Sequence, residues 1–284
     1  MSDAYTDASN ITLGVSPTNI QNDTFNTAVG ISALFDITTG TSNTVVGYNA
    51  GENLTTGSVN VAIGDDSLNA EVQGVGSVAV GYNTLSSQLN NSATNVYNTA
   101  VGWGAGNSLT SGTSCTFIGA CAGLFGTSSV TGHNVTCLGF GARPSAANTT
   151  NEVTLGNNQI TSLRCADATI ASLSDARDKN DIRDSTYGLN FLENIRPVEF
   201  TWDRRVLTPG DENDPKQGKR RVGFIAQELQ EAMPDGENDI LDLVYTSNPQ
   251  RLEAKYGNLI PVMVKAIQDL KSEVDTIKEH LNLE

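Results

Sequence analysis

Along the first half of the chain, apolar and polar residues alternate in short bursts, and each burst ends in glycine. The bursts read NTAVGISAL (26–34), NTVVGYNAG (43–51), NVAIGDDSL (60–68), SVAVGYNTL (77–85), NTAVGWGAG (98–106) and CTFIGACAG (115–123). Weaker copies are ITLGVS near the start, TCLGFGA (136–142) and VTLGNN (153–158). The marker glycines are Gly14, Gly30, Gly47, Gly64, Gly81, Gly102, Gly119, Gly139 and Gly156, spaced by 16, 17, 17, 17, 21, 17, 20 and 17 residues. So steady a period means stacked supersecondary units. Each copy is too short for a helical repeat. Its period of two fits a short strand with positions −3 and −1 before the glycine on one face. The glycine supplies a tight bend or a close backbone approach. The Asn, Ser, Thr and Gly between copies are turn formers. One coil per repeat predicts a parallel β-roll or β-helix. So thin a coil buries little apolar area alone, and both stacking and the packing of three rods side by side would cover more.

Beyond residue 184 the periodicity becomes helical. Leu189, Leu192 and Ile195 recur at helical spacing, with Ser185 as the expected N-cap and Pro197 as the stop. VEFTWDRRV alternates as a strand does, and RVGFIAQEL resumes the order after a polar loop, which predicts a hairpin over 199–224 and a helix near 226–232. At the C-terminus, Ile260, Ile267, Val274 and Leu281 alternate with Tyr256, Met263, Leu270 and Ile277 in steps of three and four. That heptad seam predicts a parallel coiled coil over about 256–283, against the plainer reading of an amphipathic helix packed on its own domain. The fold expected is thus a mainly β, trimeric repeat rod over 1–173, followed by an α+β domain over 174–284 that ends in the coiled-coil helix.

Charge sharpens the division. Residues 1–173 hold ten acidic residues, Arg143, Arg164 and no lysine; the remainder holds the other 22 acidic and 15 basic residues. A net charge of −15 excludes nucleic acid and anionic membrane surfaces as partners. No apolar run is long enough to span a bilayer, and the start lacks the form of a signal peptide. The four cysteines (Cys115, Cys121, Cys137, Cys165) form no CxxC pair and read as small buried thiols. His133 and His280 have no neighbours at ligand spacing, so no metal or cofactor is expected.

The glycine-marked repeats resemble the head repeats of trimeric adhesins and the shafts of viral tail fibres. Four further stretches, LSDARDKNDI (173–182), LNFLENIRPVEFTW (189–202), GFIAQELQEAMPD (223–235) and LIPVMVKAIQDLK (259–271), together resemble the endosialidase-type intramolecular chaperone auto-processing domain. That resemblance implies a domain that trimerises, helps a β-rich stalk to fold and then cuts itself off by a serine–lysine mechanism. Carried over by position, Ser174 is the nucleophile, Lys179 its partner and Ser174–Asp175 the scissile bond. Arg177 and Asn180 also fall on motif positions.

The chemistry imposes its own conditions. A serine hydroxyl needs a neighbouring base. A lysine serves as one only when its ammonium is disfavoured, by burial or by nearby positive charge. Arg177 favours that, whereas Asp178 and Asp181 oppose it. A spacing of five puts Ser174 and Lys179 on neither one helix face nor one strand face, so they meet through a turn or across subunits. Attack by Ser174 on the Leu173 carbonyl, an N-to-O acyl shift, would instead cut before Ser174. The expected enzyme is a single-turnover endopeptidase acting on its own chain, with no external substrate.

Two other groupings matter. Tyr48, Tyr82 and Trp103 each follow a marker glycine and form a candidate ladder for stacking on sugars, against packing between coils or subunits. Asp65 and Asp66 are the only adjacent carboxylates in the repeats, and a solvated turn is the plainer reading of them. The function expected is a homotrimeric fibre or appendage of a virion, made in the host cytoplasm and serving attachment to a host glycan or receptor. A bacterial trimeric adhesin, a glycan-depolymerising tailspike and a fibre with a cleavage-dead chaperone are the alternatives.

Overall fold

The computed structural model describes residues 4–6, 11–13, 25–92, 94–126, 128–166, 170–205, 214–234 and 238–282. Gly14 and the expected hairpin tip at 206–213 lie outside the described residues. The chain divides into two units, Met1–Ile160 with Arg205–Pro215, and Thr161–Arg204 with Lys216–Glu284.

The first unit is a parallel β-solenoid. Strands β1 (Ala4–Thr6) and β2 (Ile11–Leu13) pair antiparallel. From β2 each strand pairs in parallel with its successor: β3 (Thr27–Val29), β4 (Thr44–Val46), β5 (Val61–Ile63), β6 (Val78–Val80), β7 (Thr99–Val101), β8 (Thr116–Ile118), β9 (Val135–Leu138) and β10 (Glu152–Leu155). Register follows the repeat, so that Val45 stacks on Ala28 and Ala62 on Val45. Position −2 points inward, and Ala28, Val45, Ala62, Ala79, Ala100, Phe117 and Cys137 are buried. Positions −3 and −1 therefore share the outer face of the sheet. Phe117 is the bulkiest of the inward residues, and it fits because a Cβ on Gly106 or Gly123 would lie 2.8 or 2.5 Å from its ring.

The marker glycines serve both of the purposes expected of them. Gly30, Gly47, Gly64, Gly81, Gly102 and Gly119 have φ between 123° and 142°, where side chains are strained. In that same column a Cβ on Gly47 would sit 2.5 Å from the Gly64 carbonyl oxygen of the next coil.

The residue four before each glycine does more than favour a turn. Asn26 Oδ1 accepts the Asn43 N–H at 2.9 Å, Asn43 Oδ1 the Asn60 N–H at 3.0 Å, and Asn60 Oδ1 the Ser77 N–H at 2.8 Å. The Nδ2 groups of Asn26, Asn43 and Asn60 donate to the carbonyls of Gly40, Gly57 and Gly74, each at 2.9 Å, closing these three coils across their section. These side chains are buried, so each bond left unmade costs about 1–3 kcal/mol. Asn60→Ala should therefore destabilise the solenoid by about 2–4 kcal/mol, read as a lowered midpoint of denaturant unfolding. Glu71 takes a place that Leu54 and Leu109 occupy in other coils. Its buried carboxylate accepts the N–H groups of Val72, Gln73, Gly74 and Asn90 and the side-chain amides of Gln88 and Asn90.

The second unit is a small α+β fold. Helix α1 (Leu189–Leu192) is one turn long, shorter than its apolar spacing implied. Ser185 does not cap it: its Oγ accepts the Tyr187 N–H in a local turn. The Leu189 N–H is instead accepted by Asp269 Oδ2 at 3.2 Å, from a residue 80 positions away. Strands β11 (Val198–Thr201) and β12 (Arg220–Gly223) form the expected hairpin, and α2 (Ala226–Ala232) the expected helix. A further short helix, α3 (Asn238–Leu241), precedes the two-residue strands β13 (Val244–Tyr245) and β14 (Glu253–Ala254). Phe191, Leu229, Met233, Leu241, Leu243, Val244, Leu259 and Val262 make the core.

The chain ends in α4 (Leu259–Leu281), whose C-cap Asn282 adopts the left-handed conformation. Its buried residues are Leu259, Val262 and Ala266, all in the first two turns. The heptad seam lies on a different stripe. Ile260, Met263, Ile267, Leu270, Val274, Ile277 and Leu281 are all exposed, with Ile267 at 68%. The helix packs on its own unit, as the plainer reading had it, yet that packing leaves the whole seam uncovered. Tyr256 falls just before α4, in a 3-10 turn, and its hydroxyl accepts the Phe224 N–H.

Candidate functional site

Ser174 lies in an exposed, extended segment within the second unit, next to Leu173, whose side chain is 99% exposed. Two residues later the chain makes a single 3-10 turn, Ala176–Asp178. Asp175 caps that turn. Its Oδ1 accepts the Arg177 N–H at 2.9 Å, as short polar side chains at helix starts do. The Arg177 guanidinium folds back and grips the same carboxylate, with Nη2 2.6 Å from Oδ2. The side-chain hydrogen bond from Arg177, then its N–H, hold the Asp175 carboxyl below the usual carboxylate range. A depressed carboxylate stabilises the turn above its unfolded value and is lost only as pH falls through the lowered one. The carboxylate that caps the turn is therefore ionised at neutral pH.

The turn also reverses the chain enough to bring Lys179 back onto Ser174. Lys179 Nζ lies 2.7 Å from Ser174 Oγ and 3.4 Å from the Ser174 carbonyl oxygen. Two residues five apart thus meet within one chain, by way of the turn. Arg177 is turned toward Asp175, so its positive charge is neutralised locally. Asn180 follows the turn and is exposed. All of Ser174–Asn180 is exposed in the single chain. The arrangement places one amine against both the hydroxyl and the carbonyl of the same serine.

The other candidates lie in the solenoid. Tyr48, Tyr82 and Trp103 are exposed along one column. The rings of Tyr82 and Trp103 stack on each other, with centroids 6.1 Å apart and planes inclined by 12°. Asp65 fills the column between Tyr48 and Tyr82, and its Oδ1 accepts the Tyr48 N–H at 3.4 Å. Asp66 accepts a hydrogen bond from Asn49, so both carboxylates tie adjacent coils together. Cys115 and Cys137 are buried, and burial, with the Glu152 charge second, pushes the Cys137 thiol up to about 12. Cys165 is exposed, which departs from the expectation of buried thiols throughout. Among the described residues no group of three His, Cys, Asp or Glu side chains is placed to hold a metal ion. None of their helices is long and apolar enough to cross a membrane.

Sequence reasoning missed Asp269 and the asparagine column. The column was visible as the Asn opening most bursts, but only the folded coil shows it bonding both along and across the stack. Asp269 gave no local signal, because its partner at Leu189 is distant in sequence.

No curated protein and no solved structure matches the chain. One family model does match, over residues 174–236: that of the peptidase S74 family, the chaperone of endosialidase. The match begins at Ser174 itself and runs through the turn, α1, the hairpin and α2. A β-solenoid followed by a stretch similar to the chaperone of endosialidase fits a tail-fibre-like protein.

Proposed function

We propose that the chain is a homotrimeric fibre or appendage protein of a virion, made in the host cytoplasm and serving attachment to a host surface. Its C-terminal module brings three copies together, sets the register of the rods and then cuts itself away at Ser174. One observation carries this reading. Lys179 Nζ touches both the hydroxyl and the carbonyl of Ser174, at the residue where the chaperone match begins.

The contact with the carbonyl favours Ser174–Asp175 as the bond cut. Ser174 attacking its own carbonyl would close a four-membered ring. Cleavage there therefore needs the Ser174 hydroxyl of another copy, activated beside Lys179. That hydroxyl adds to the carbonyl, the Asp175 nitrogen leaves with a proton, and water then hydrolyses the resulting ester, freeing the hydroxyl and leaving Ser174 as a carboxylate. A lysine takes up a proton in this way only where burial or positive charge disfavours its ammonium. The site is exposed in one chain, so assembly has to supply the cover. Release would then follow completed assembly, which suits a tool needed only once.

The seam of α4 supports the assembly half. Seven apolar side chains lie exposed over more than three heptads, and a parallel coil covers them. In such a coil Glu273 sits opposite Lys278 of the partner subunit, a pair that favours parallel alignment. Long-range parallel pairing folds slowly, and holding three chains in step shortens that search. Cutting afterwards leaves a rod that is stable because its unfolded chains no longer find one another.

The exposure of the Ser174–Lys179 pair favours one second reading, a chaperone that never cuts. Denaturing mass measurement separates the two. Wild type is expected as two fragments that meet at the Ser174–Asp175 bond, and Ser174→Ala or Lys179→Ala as the uncut chain of 30.0 kDa. Uncut wild type would leave assembly standing without self-cleavage.

A further inference from the structure

Between Phe25 and Leu155 the large exposed apolar residues of the solenoid fall, with one exception, in one strip. Between Phe25 and Leu155, fourteen large apolar residues are more than a third exposed, and thirteen of them stand at positions −5, −3, −1 or +1 relative to a marker glycine; Leu89 is the exception. Phe25 and Tyr97 stand at −5, Ile63 and Val101 at −1, and Tyr82 and Trp103 at +1. Positions −3 and −1 lie on the outer face of the parallel sheet, and positions −5 and +1 flank its short strands on either side. Asp65 is the one charged residue in the four columns over that span. The remaining charges of these coils, such as Asp36 and Glu52, fall elsewhere around the section.

We propose that this strip is the face through which copies of the chain pack side by side, coil against coil. The inference rests on the three-chain reading above and says which surface of the rod that assembly buries. Three arguments select a second copy as the occupant. Thirteen half-exposed side chains amount to on the order of 1,000 Å² per chain, against about 800 Å² per partner in a stable interface. A monomer rarely leaves so large an apolar patch open. The strip also repeats at the rise of the coils, and another copy of this solenoid repeats at that same rise along its whole length. A glycan, by contrast, needs polar groups beside a free ring face. Here the strip is almost without charge, and Tyr82 and Trp103 cover one face of each other.

Trp103 reports on this directly. In Trp202→Phe full-length protein it is the only tryptophan, and it is 58% exposed in the single chain. Mass by light scattering and acrylamide quenching of emission are read on the same sample. The expected result is a three-chain mass with Trp103 quenched several-fold less than a free indole. Val101→Lys should disrupt that assembly, whereas Thr39→Lys, at an exposed place outside the strip, should leave it intact. A three-chain mass with Trp103 freely quenched would overturn the strip as the interface while leaving the assembly reading in place. Shielding that then appeared only on adding a polysaccharide would assign the column to a glycan. A single-chain mass would overturn both the strip and the three-chain reading.

Discussion

Ile267→Asp combined with Val274→Asp, in a Ser174→Ala background that keeps the chain whole, should convert the protein from three chains to one. Light scattering should then read 30.0 kDa instead of three times that mass. Both side chains are exposed, and neither is among the buried residues of α4, so the double substitution leaves the core of its own unit untouched. In a three-stranded coil the six substituted positions lose roughly 2 kcal/mol of burial each and add facing carboxylates. The solenoid should suffer as well, because its chains no longer meet at high local concentration; a single chain with a weakened strand signal in circular dichroism is the expected product. A double variant that retained three chains and an ordered rod would remove the C-terminal helix from the account.

Gly64→Val should prevent the coils from stacking. At φ +128° a valine is strained, and its Cβ would fall 2.4 Å from the Gly81 oxygen and 2.6 Å from the Gly81 carbon. Those atoms are backbone of the next coil, directly after β6, so they do not swing aside as a side chain would. The expected cost exceeds about 4 kcal/mol, at the severe end for single substitutions, with loss of the strand signal in circular dichroism. Gly104 is the contrasting case. Its φ is +62°, and a Cβ there meets nothing within 4 Å. The equivalent places hold Asn49, Asp66, Asn83 and Cys121 at φ 51–57°. Gly104→Asn should therefore be nearly neutral, within about 0.5 kcal/mol. Equal damage from the two substitutions would show that close approach, as distinct from backbone angle, is not what the marker glycine provides.

The solenoid was readable because its constraint repeats. A glycine demanded by the equivalent carbonyl in six successive coils, Gly30 to Gly119, leaves a period that composition alone does not produce, and the 21-residue spacing changes only the loop between Gln88 and Asn98. The direction of the strands was less readable. TAV or VAI alternates identically whether the central residue faces in or out, and small residues such as Ala62 and Ala79 become informative only once the coil is known to be thin. The hairpin and α2 followed local periodicity. The length of α1 did not, because Leu189, Leu192 and Ile195 satisfy helical spacing while only one turn forms, with its first N–H capped from Asp269. At the candidate site, sequence supplied the residues and their order. It left open how Ser174 and Lys179 meet, since that depends on a three-residue turn fixed by Asp175 and Arg177. The heptads showed a seam in α4. That the seam stays open after the helix has packed on its own unit is a property of the fold, since it depends on Leu259, Val262 and Ala266 taking the other side.

The rod, the tail and the cut are joined in one claim: three chains assemble through the C-terminal module, and assembly is followed by scission beside Ser174. Native mass spectrometry of the wild-type full chain, sampled from first expression onward, tests that claim most directly. The account predicts a transient complex of three whole chains that gives way to a complex of three chains ending at Ser174, with the released module as its counterpart. A stable, ordered single chain, or scission appearing before any three-chain species, would contradict it.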